Sequence, residues 1–496
     1  MNSNVMESIN VPPWPITAAV LTLVTAVVYH YFTKDKKVPP GPIGIPYFGY
    51  FPFLEKESLH THLEKIGEKY GDFYSFTCCG QLYIHLGSHK AVREVLVSKS
   101  DCFEVKPDFM ETVFKDGLIL DNGESWKVLR KYFNQYLKDS GFSTIKEEKA
   151  GPFYDSTLAI ISDLTNSKGK SVNITEFVME KSIYIIRKIL LDESCMTDDE
   201  LHSFVADYAE MTAGLFDMRY FLCSNLVRTL FHPRNHVFKV AQKYHDKIEN
   251  LLLKVMQRSE STLDENHIRD IFDAYIMERL SRKRKNDSTA EHFSDKRFTS
   301  SVIQIIGDGI TSVALFTCNF IKALLDHPEE QEKIYQEVIS IVGTNRQPAI
   351  ADRSKLPYTN SFMYEVMRTT QFFPLIPSLQ CTKQTTIRGY RIPKDAITVF
   401  NFWAINHNPQ TYENPYEFKP SRFVTDPGKP KQELPIIFGT GKRSCIGEYF
   451  TMMQSFLFLT TIVKNFKLSY PDDARRKDPV SFIEGNIYAI AEPRQD

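Results

Sequence analysis

Phe438-Gly439-Thr440-Gly441-Lys442-Arg443-Ser444-Cys445-Ile446-Gly447 decides how the rest of the chain is read. One cysteine stands among glycines and beside an arginine, close to the C-terminal end. Glycine lets a backbone curl tightly and lets a flat, bulky ligand approach. A sulfur near backbone N–H groups and a cation is stabilised as thiolate, the form that binds metal. The apolar run Phe450 to Phe466 predicts a long buried helix straight after the loop. Its dipole favours negative charge at the sulfur. For a lone cysteine the alternative is a buried structural thiol in a glycine-rich turn.

The decapeptide fits Phe-x-x-Gly-x-Arg-x-Cys-x-Gly at every defining position, and by it the chain resembles the cytochrome P-450 superfamily of haem-thiolate monooxygenases. The resemblance implies that Cys445 is the axial ligand of haem iron, pushing electron density that favours O–O cleavage. It implies Arg443 on a haem propionate and Phe438 packed on the cysteine side of the haem.

Length and composition agree with a large globular enzyme. The chain has 496 residues, of which 42% are hydrophobic, enough for one large core or two modest ones. A formal net charge of −1 gives no electrostatic footprint for nucleic acid. The eight cysteines show neither metal-finger nor disulfide-framework spacing, which predicts reduced thiols facing the cytosol.

Ile16 to Phe32 is an apolar run with aromatic residues at both ends, long enough at 1.5 Å per residue to span a thin bilayer such as that of the endoplasmic reticulum. Lys34, Lys36 and Lys37 follow it, whereas Met1 to Asn10 carries only Glu7. The positive-inside rule then leaves the bulk of the chain in the cytosol. Pro39-Pro40-Gly41-Pro42 cannot be helical and reads as a stiff extended linker. The expected organisation is a lumenal N-terminus (1–15), a single transmembrane anchor (16–32), a basic and proline-rich hinge (33–50) and a catalytic domain (51–496).

Farther along, Asp121-Asn122-Gly123-Glu124-Ser125-Trp126 is a turn whose polar side chains can cap a helix. Trp126 and Arg130 fall on one face of that helix, with Lys127 and Lys131 outward. The resemblance makes Trp126 and Arg130 propionate ligands. Between about Phe298 and Leu325 the chain is apolar nearly all round, which predicts a helix threading the centre of the fold. Inside it, Gly307 and Gly309 each cost about 1 kcal/mol against alanine, so something should require them. Close approach of haem and oxygen at Gly307 is the expectation.

The superfamily's acid–alcohol pair is missing from that helix in either register. Asp308 with Thr311 or Ser312 shares a face and substitutes for it as a proton relay. Glu365 and Arg368, three apart on a helix, pair with Arg422 of Pro420-Ser421-Arg422-Phe423. The resemblance makes this set a buried structural lock. Ser378-Leu379-Gln380 offers neither the histidine nor the arginine that relatives place after the second proline of Phe373 to Pro377.

These signatures imply a mainly α fold with small β sheets, the haem lying between the central long helix and the Cys445 loop. The group resembled is the microsomal drug- and steroid-metabolising one of animals, arthropods included. Its cofactor is haem b, and its electrons come from NADPH through NADPH-cytochrome P-450 reductase, with cytochrome b5 as a further donor. The substrate is a lipophilic small molecule, open between steroid, lipid and xenobiotic. A haem-thiolate isomerase or dehydratase acting on (hydro)peroxides is the alternative, since it needs no acid–alcohol pair.

Overall fold

The proline-rich hinge meets the sheet before any long helix forms. Prolines 39 and 40 cannot donate, but their carbonyls accept: Ser75 Oγ donates to Pro39 O at 2.6 Å and Ser75 N–H to Pro40 O at 2.8 Å. Gly41 lies so close that a Cβ would stand 1.7 Å from the Ser75 carbonyl oxygen. Residues 39–41 are therefore docked on the sheet, where the sequence alone predicted a linker. The computed structural model describes residues 37–55, 58–107, 116–141, 150–213, 222, 235–370, 373–425, 431–471 and 485–494, with a few positions between 14 and 25. Most of the expected anchor and lumenal segment lie outside the described residues. Within the anchor, Val20, Leu21 and Val24 are helical and expose their apolar side chains.

Helix α1 (Leu59–Tyr70) leads into β1 (Phe73–Cys78) and β2 (Gln81–Leu86), then α2 (His89–Leu96) and β3 (Phe103–Val105). Next come α3 (Gly123–Asp139), α4 (Gly151–Asn166), β4 (Val172–Asn173), α5 (Ile174–Leu190) and α6 (Asp198–Thr212). They are followed by α7 (Asn235–Ser261), α8 (Ile271–Arg284), α9 (Asp295–Asp326), α10 (Pro328–Val342) and α11 (Pro357–Thr369). The last part holds β5 (Ile376–Cys381), β6 (Thr385–Ile387), β7 (Tyr390–Ile392), β8 (Ile397–Phe400), α12 (Phe402–Asn406), α13 (Glu448–Asn465), β9 (Phe466–Ser469) and β10 (Tyr488–Pro493).

One sheet has the order β1-β2-β8-β5-β3, antiparallel except where β2 runs parallel to β8 with Tyr83 opposite Ile397. A second has the order β4-β10-β9, and β6-β7 is a hairpin. Helices dominate and the sheets are small, as expected.

α9 is the axis of the helical part. The Ser294 side chain caps its start by accepting from the Arg297 N–H, and the helix ends at His327 before Pro328. It packs between α5 and α13, and α13 is buried continuously from Phe450 to Lys464. Among the described residues α9 is the helix long and apolar enough to cross a membrane, but its burial is that of a core helix.

The buried lock forms beneath this core. Arg368 donates to both Glu365 oxygens (Nε 2.9 Å, Nη2 2.8 Å), and neither side chain has accessible surface. Arg422 Nε reaches the same carboxylate at 3.0 Å, and the Lys419 N–H at 2.7 Å. The remaining guanidinium donors bind the carbonyls of Asn406, Glu413 and Glu417. Every charge buried here is hydrogen-bonded, the condition under which such a set is tolerated.

Candidate functional site

The Cys445 loop is closed by its own backbone. The Cys445 N–H donates to the Phe438 carbonyl at 2.8 Å, and Gly439 and Gly441 take φ of 72° and 74°, a left-handed turn that suits glycine. Among the described residues one backbone donor reaches the sulfur: Gly447 N–H, at 3.3 Å. Arg130 of α3 donates to the Ser444 carbonyl at 2.6 Å and is the cation nearest in effect on the thiol.

Burial outweighs both and pushes the thiol up to about 11, so the loop alone does not make the thiolate expected from the sequence. A bound metal ion deprotonates such a thiol outright. By surface area Cys445 is exposed, yet protein atoms surround it as in an interior. Its surface borders an open cleft of about 960 Å³ lined by Phe438, Gly439, Tyr449 and Met452 among others. Phe438 also meets Phe316 of α9, ring centroids 5.5 Å apart.

Trp126, Arg130 and Arg443 come together as the sequence predicted, but their donors are spent differently. Trp126 Nε1–H donates to the Leu118 carbonyl at 3.1 Å, since a buried indole N–H needs a partner. The indole face carries the Arg443 guanidinium 3.5 Å from the ring centroid. Trp126 is thereby a platform for Arg443. Arg443 in turn donates to Asp121 O, Asn122 Oδ1 and Glu104 O. Asn122 does not cap α3 with its side chain, because its oxygen is taken by Arg443 and by the Lys106 N–H.

Lys106 is a site residue that the sequence reading missed. Burial and then the Arg443 charge push it down to about 8; burial and then Arg130 push Arg443 down to about 10. Arg130 is lowered by burial as well. Three half-buried cations close enough to act on one another fit a polyanionic ligand. Haem, with two propionates and an iron that takes a thiolate, fits this donor set. A lysine just after a short strand carries no motif, so only its neighbours identify it.

On α9 the structure adds a reason for the first of the two glycines. A Cβ on Gly307 would lie 2.3 Å from the ring of Tyr208 on α6, so the close approach of that ring is by itself a reason for glycine here. A Cβ on Gly309 would meet only Ile186 Cδ1, at 3.1 Å. Asp308, Thr311, Ser312 and Leu315 keep partial accessible surface at one-face spacing while the flanks of the helix are buried. The Tyr208 hydroxyl donates to Asp308 Oδ1 at 2.7 Å, and Ser312 Oγ to the same oxygen at 3.3 Å. Thr311 Oγ1 is engaged by the Gly307 carbonyl at 2.8 Å. Burial raises the Asp308 carboxyl above the usual range, against the two donors, and its charge in turn raises Cys445. Ser312 is thus bonded to Asp308, and Thr311 to the backbone of its own helix. Ser378 is buried on β5.

With this geometry in hand, comparison with known proteins gives the class. A family profile described as Cytochrome P-450 matches residues 39–488, and the chain belongs to that family. It is a haem-thiolate monooxygenase, an oxidoreductase. The chain is similar to cytochrome P-450 2A6 of Homo sapiens, 28% identical with 91% of this chain and 92% of that one covered. It is similar to cytochrome P-450 2F3 of Capra hircus, 27% identical with 95% and 97% covered. It is also similar to cytochrome P-450 18a1 of Drosophila melanogaster, 26% identical with 96% and 88% covered.

Proposed function

We propose that this chain is an endoplasmic reticulum enzyme, held by a single N-terminal span with its catalytic domain in the cytosol. It inserts one atom of O2 into a lipophilic small molecule (steroid, lipid or xenobiotic). The electrons come from NADPH by way of NADPH-cytochrome P-450 reductase, with cytochrome b5 as a second donor. The carrying observation is the accessible thiol of Cys445 in its glycine-turned loop, with Arg130 bonded to the adjacent carbonyl and Arg443 and Lys106 half-buried in the same region.

Haem b, when bound, supplies the oxygen chemistry. Cys445 Sγ would hold the iron, and Phe438 would pack beside it. Arg130, Arg443 and Lys106 neutralise the propionates, Trp126 holding Arg443 in place from below. Asp308 carries the proton that the reaction needs, with Ser312 beside it. Glu365, Arg368 and Arg422 keep the loop and its surroundings folded. The apolar core around α9 excludes water.

Isotope tracing tests the reading. The full chain is expressed with a reductase and offered sterols, fatty acids, xenobiotics and hydroperoxides under labelled O2. NADPH-dependent label in a product is the expected result. Hydroperoxide turnover without NADPH and without label would overturn it.

A further inference from the structure

Helices α6 and α9 meet at Asp308 through more than packing. Tyr208 is buried, its ring lies against Gly307, and its hydroxyl donates to Asp308 Oδ1 at 2.7 Å. Ser312 donates to the same oxygen at 3.3 Å. Among the described residues no donor reaches Oδ2. Asp308 keeps accessible surface on the face it shares with Thr311, Ser312 and Leu315. One carboxyl oxygen is held from two sides, and among the described residues the other has no hydrogen-bond donor.

We propose that Tyr208 is a positioning residue for Asp308, clamping one carboxyl oxygen across the α6–α9 contact so that the other carries the reaction's proton on the side of Cys445. Oδ2 gives its proton to the oxygen being reduced with the electrons from NADPH, the carboxylate left behind accepts from the Tyr208 and Ser312 hydroxyls, and water supplies the next proton to Oδ2. This rests on the monooxygenase reading above. It also explains why α9 works without an adjacent acid–alcohol pair: the hydroxyl that serves the acid comes from another helix. Glycine at 307 is then needed to let that helix in. The titratable groups acting on this carboxyl are Tyr208 from α6 and Cys445 from the loop; at the neighbouring turn α5 presents Ile186.

The test uses the full chain as Tyr208→Phe, Asp308→Asn and the double variant. The first readout needs no turnover: the infrared carboxyl band lost in Asp308→Asn is titrated with pH. Removing a donor to the charged form moves its midpoint upward in Tyr208→Phe, by about one unit. Ser312→Ala moves it the same way without touching the ring packing, and serves if Tyr208→Phe fails to fold. The second readout is product formed per NADPH oxidised, with the panel compound into which the wild type incorporates label.

Tyr208→Phe is expected to lower that ratio about fivefold, and to lower it no further in the Asp308→Asn background. An unmoved midpoint, an unchanged ratio, or losses that multiply in the double variant would overturn the proposal, the last being the mark of a merely structural tyrosine. If the wild type gives no labelled product, the monooxygenase reading itself fails, and the infrared midpoint still decides the clamp.

Discussion

Arg130 of α3 donates to the carbonyl of Ser444 at 2.6 Å, so a helix far away in sequence holds the backbone next to Cys445. The bond is to the main chain, so the residue type at 444 matters little and the residue type at 130 matters much. Arg130→Ala is expected to weaken haem retention about tenfold or more, the scale of a lost charge-assisted hydrogen bond. Arg130→Lys should fall between, since an ammonium lacks the planar fork. Ser444→Ala should be neutral. Transfer of haem to an acceptor protein measures all three, and equal retention would remove Arg130 from the site.

Glu365 accepts from two arginines and one backbone N–H with no accessible surface of its own. Glu365→Gln strands two buried guanidinium groups. The expected loss is about 3–5 kcal/mol of stability, read as a lowered melting temperature and poor haem incorporation. An unchanged melt would mean that the lock is dispensable.

Glycines 307 and 309 should part company. Gly307→Ala drives a methyl into the Tyr208 ring and is expected to cost about 1–3 kcal/mol. Gly309→Ala meets only the flexible end of Ile186 and gains helix propensity of up to about 1 kcal/mol, so it should be neutral or stabilising. Thermal melts of the two variants decide it; equal destabilisation would contradict the packing described.

Acid should unfold the protein through its buried histidines. Burial lowers His85 to about 3 and His407 to about 4, His85 stacked on Tyr74 and His407 on Trp403. Both are neutral in the fold and take up protons once unfolded. Their contribution is complete above about 6.5 and is lost as pH falls toward 4, at about 1.4 kcal/mol per unit for each histidine. Melting temperature measured from pH 7.5 to 5 should fall, and His85→Gln should flatten the slope. A melt that does not change with pH would be incompatible with these buried neutral rings.

Lys127 and Lys131 lie exposed on α3, Lys127 loosely paired with Glu124 at 3.5 Å, and Lys442 of the loop pairs with Glu104 at 2.6 Å. Reversing the charge of Lys127 and Lys131 is expected to slow reductase-driven turnover, most at low salt, and to leave peroxide-driven turnover unchanged. Unaltered reductase kinetics would move the docking surface elsewhere. Lys442 should matter less, because its charge is already partnered.

Much of the fold was legible along the chain. The central helix expected from about Phe298 to Leu325 is α9, Asp295–Asp326, and the one expected over Phe450 to Phe466 is α13, Glu448–Asn465. Cys445, Arg443, Trp126, Arg130 and the Glu365–Arg368–Arg422 set are carried by short motifs with definite spacing. What the motifs could not carry is the partner of each donor. Trp126 donates its N–H to Leu118, and Arg443 makes two bonds to the turn before α3 and one to Glu104 of β3. Lys106 and Tyr208 belong to no motif, and they were missed.

The helix periods and the ligand loop can be read along the chain because each depends on residues within a turn or two of one another; the lock shows only as two short motifs, Arg422 standing 57 positions from Glu365. Only the tertiary structure decided why Gly307 must be glycine, what holds Asp308 and what surrounds Cys445. Those depend on α6 crossing α9 and on α3 reaching the loop, contacts between residues a hundred or more positions apart. Burial and charge at such crossings are set by whatever packs there, and no local pattern encodes them.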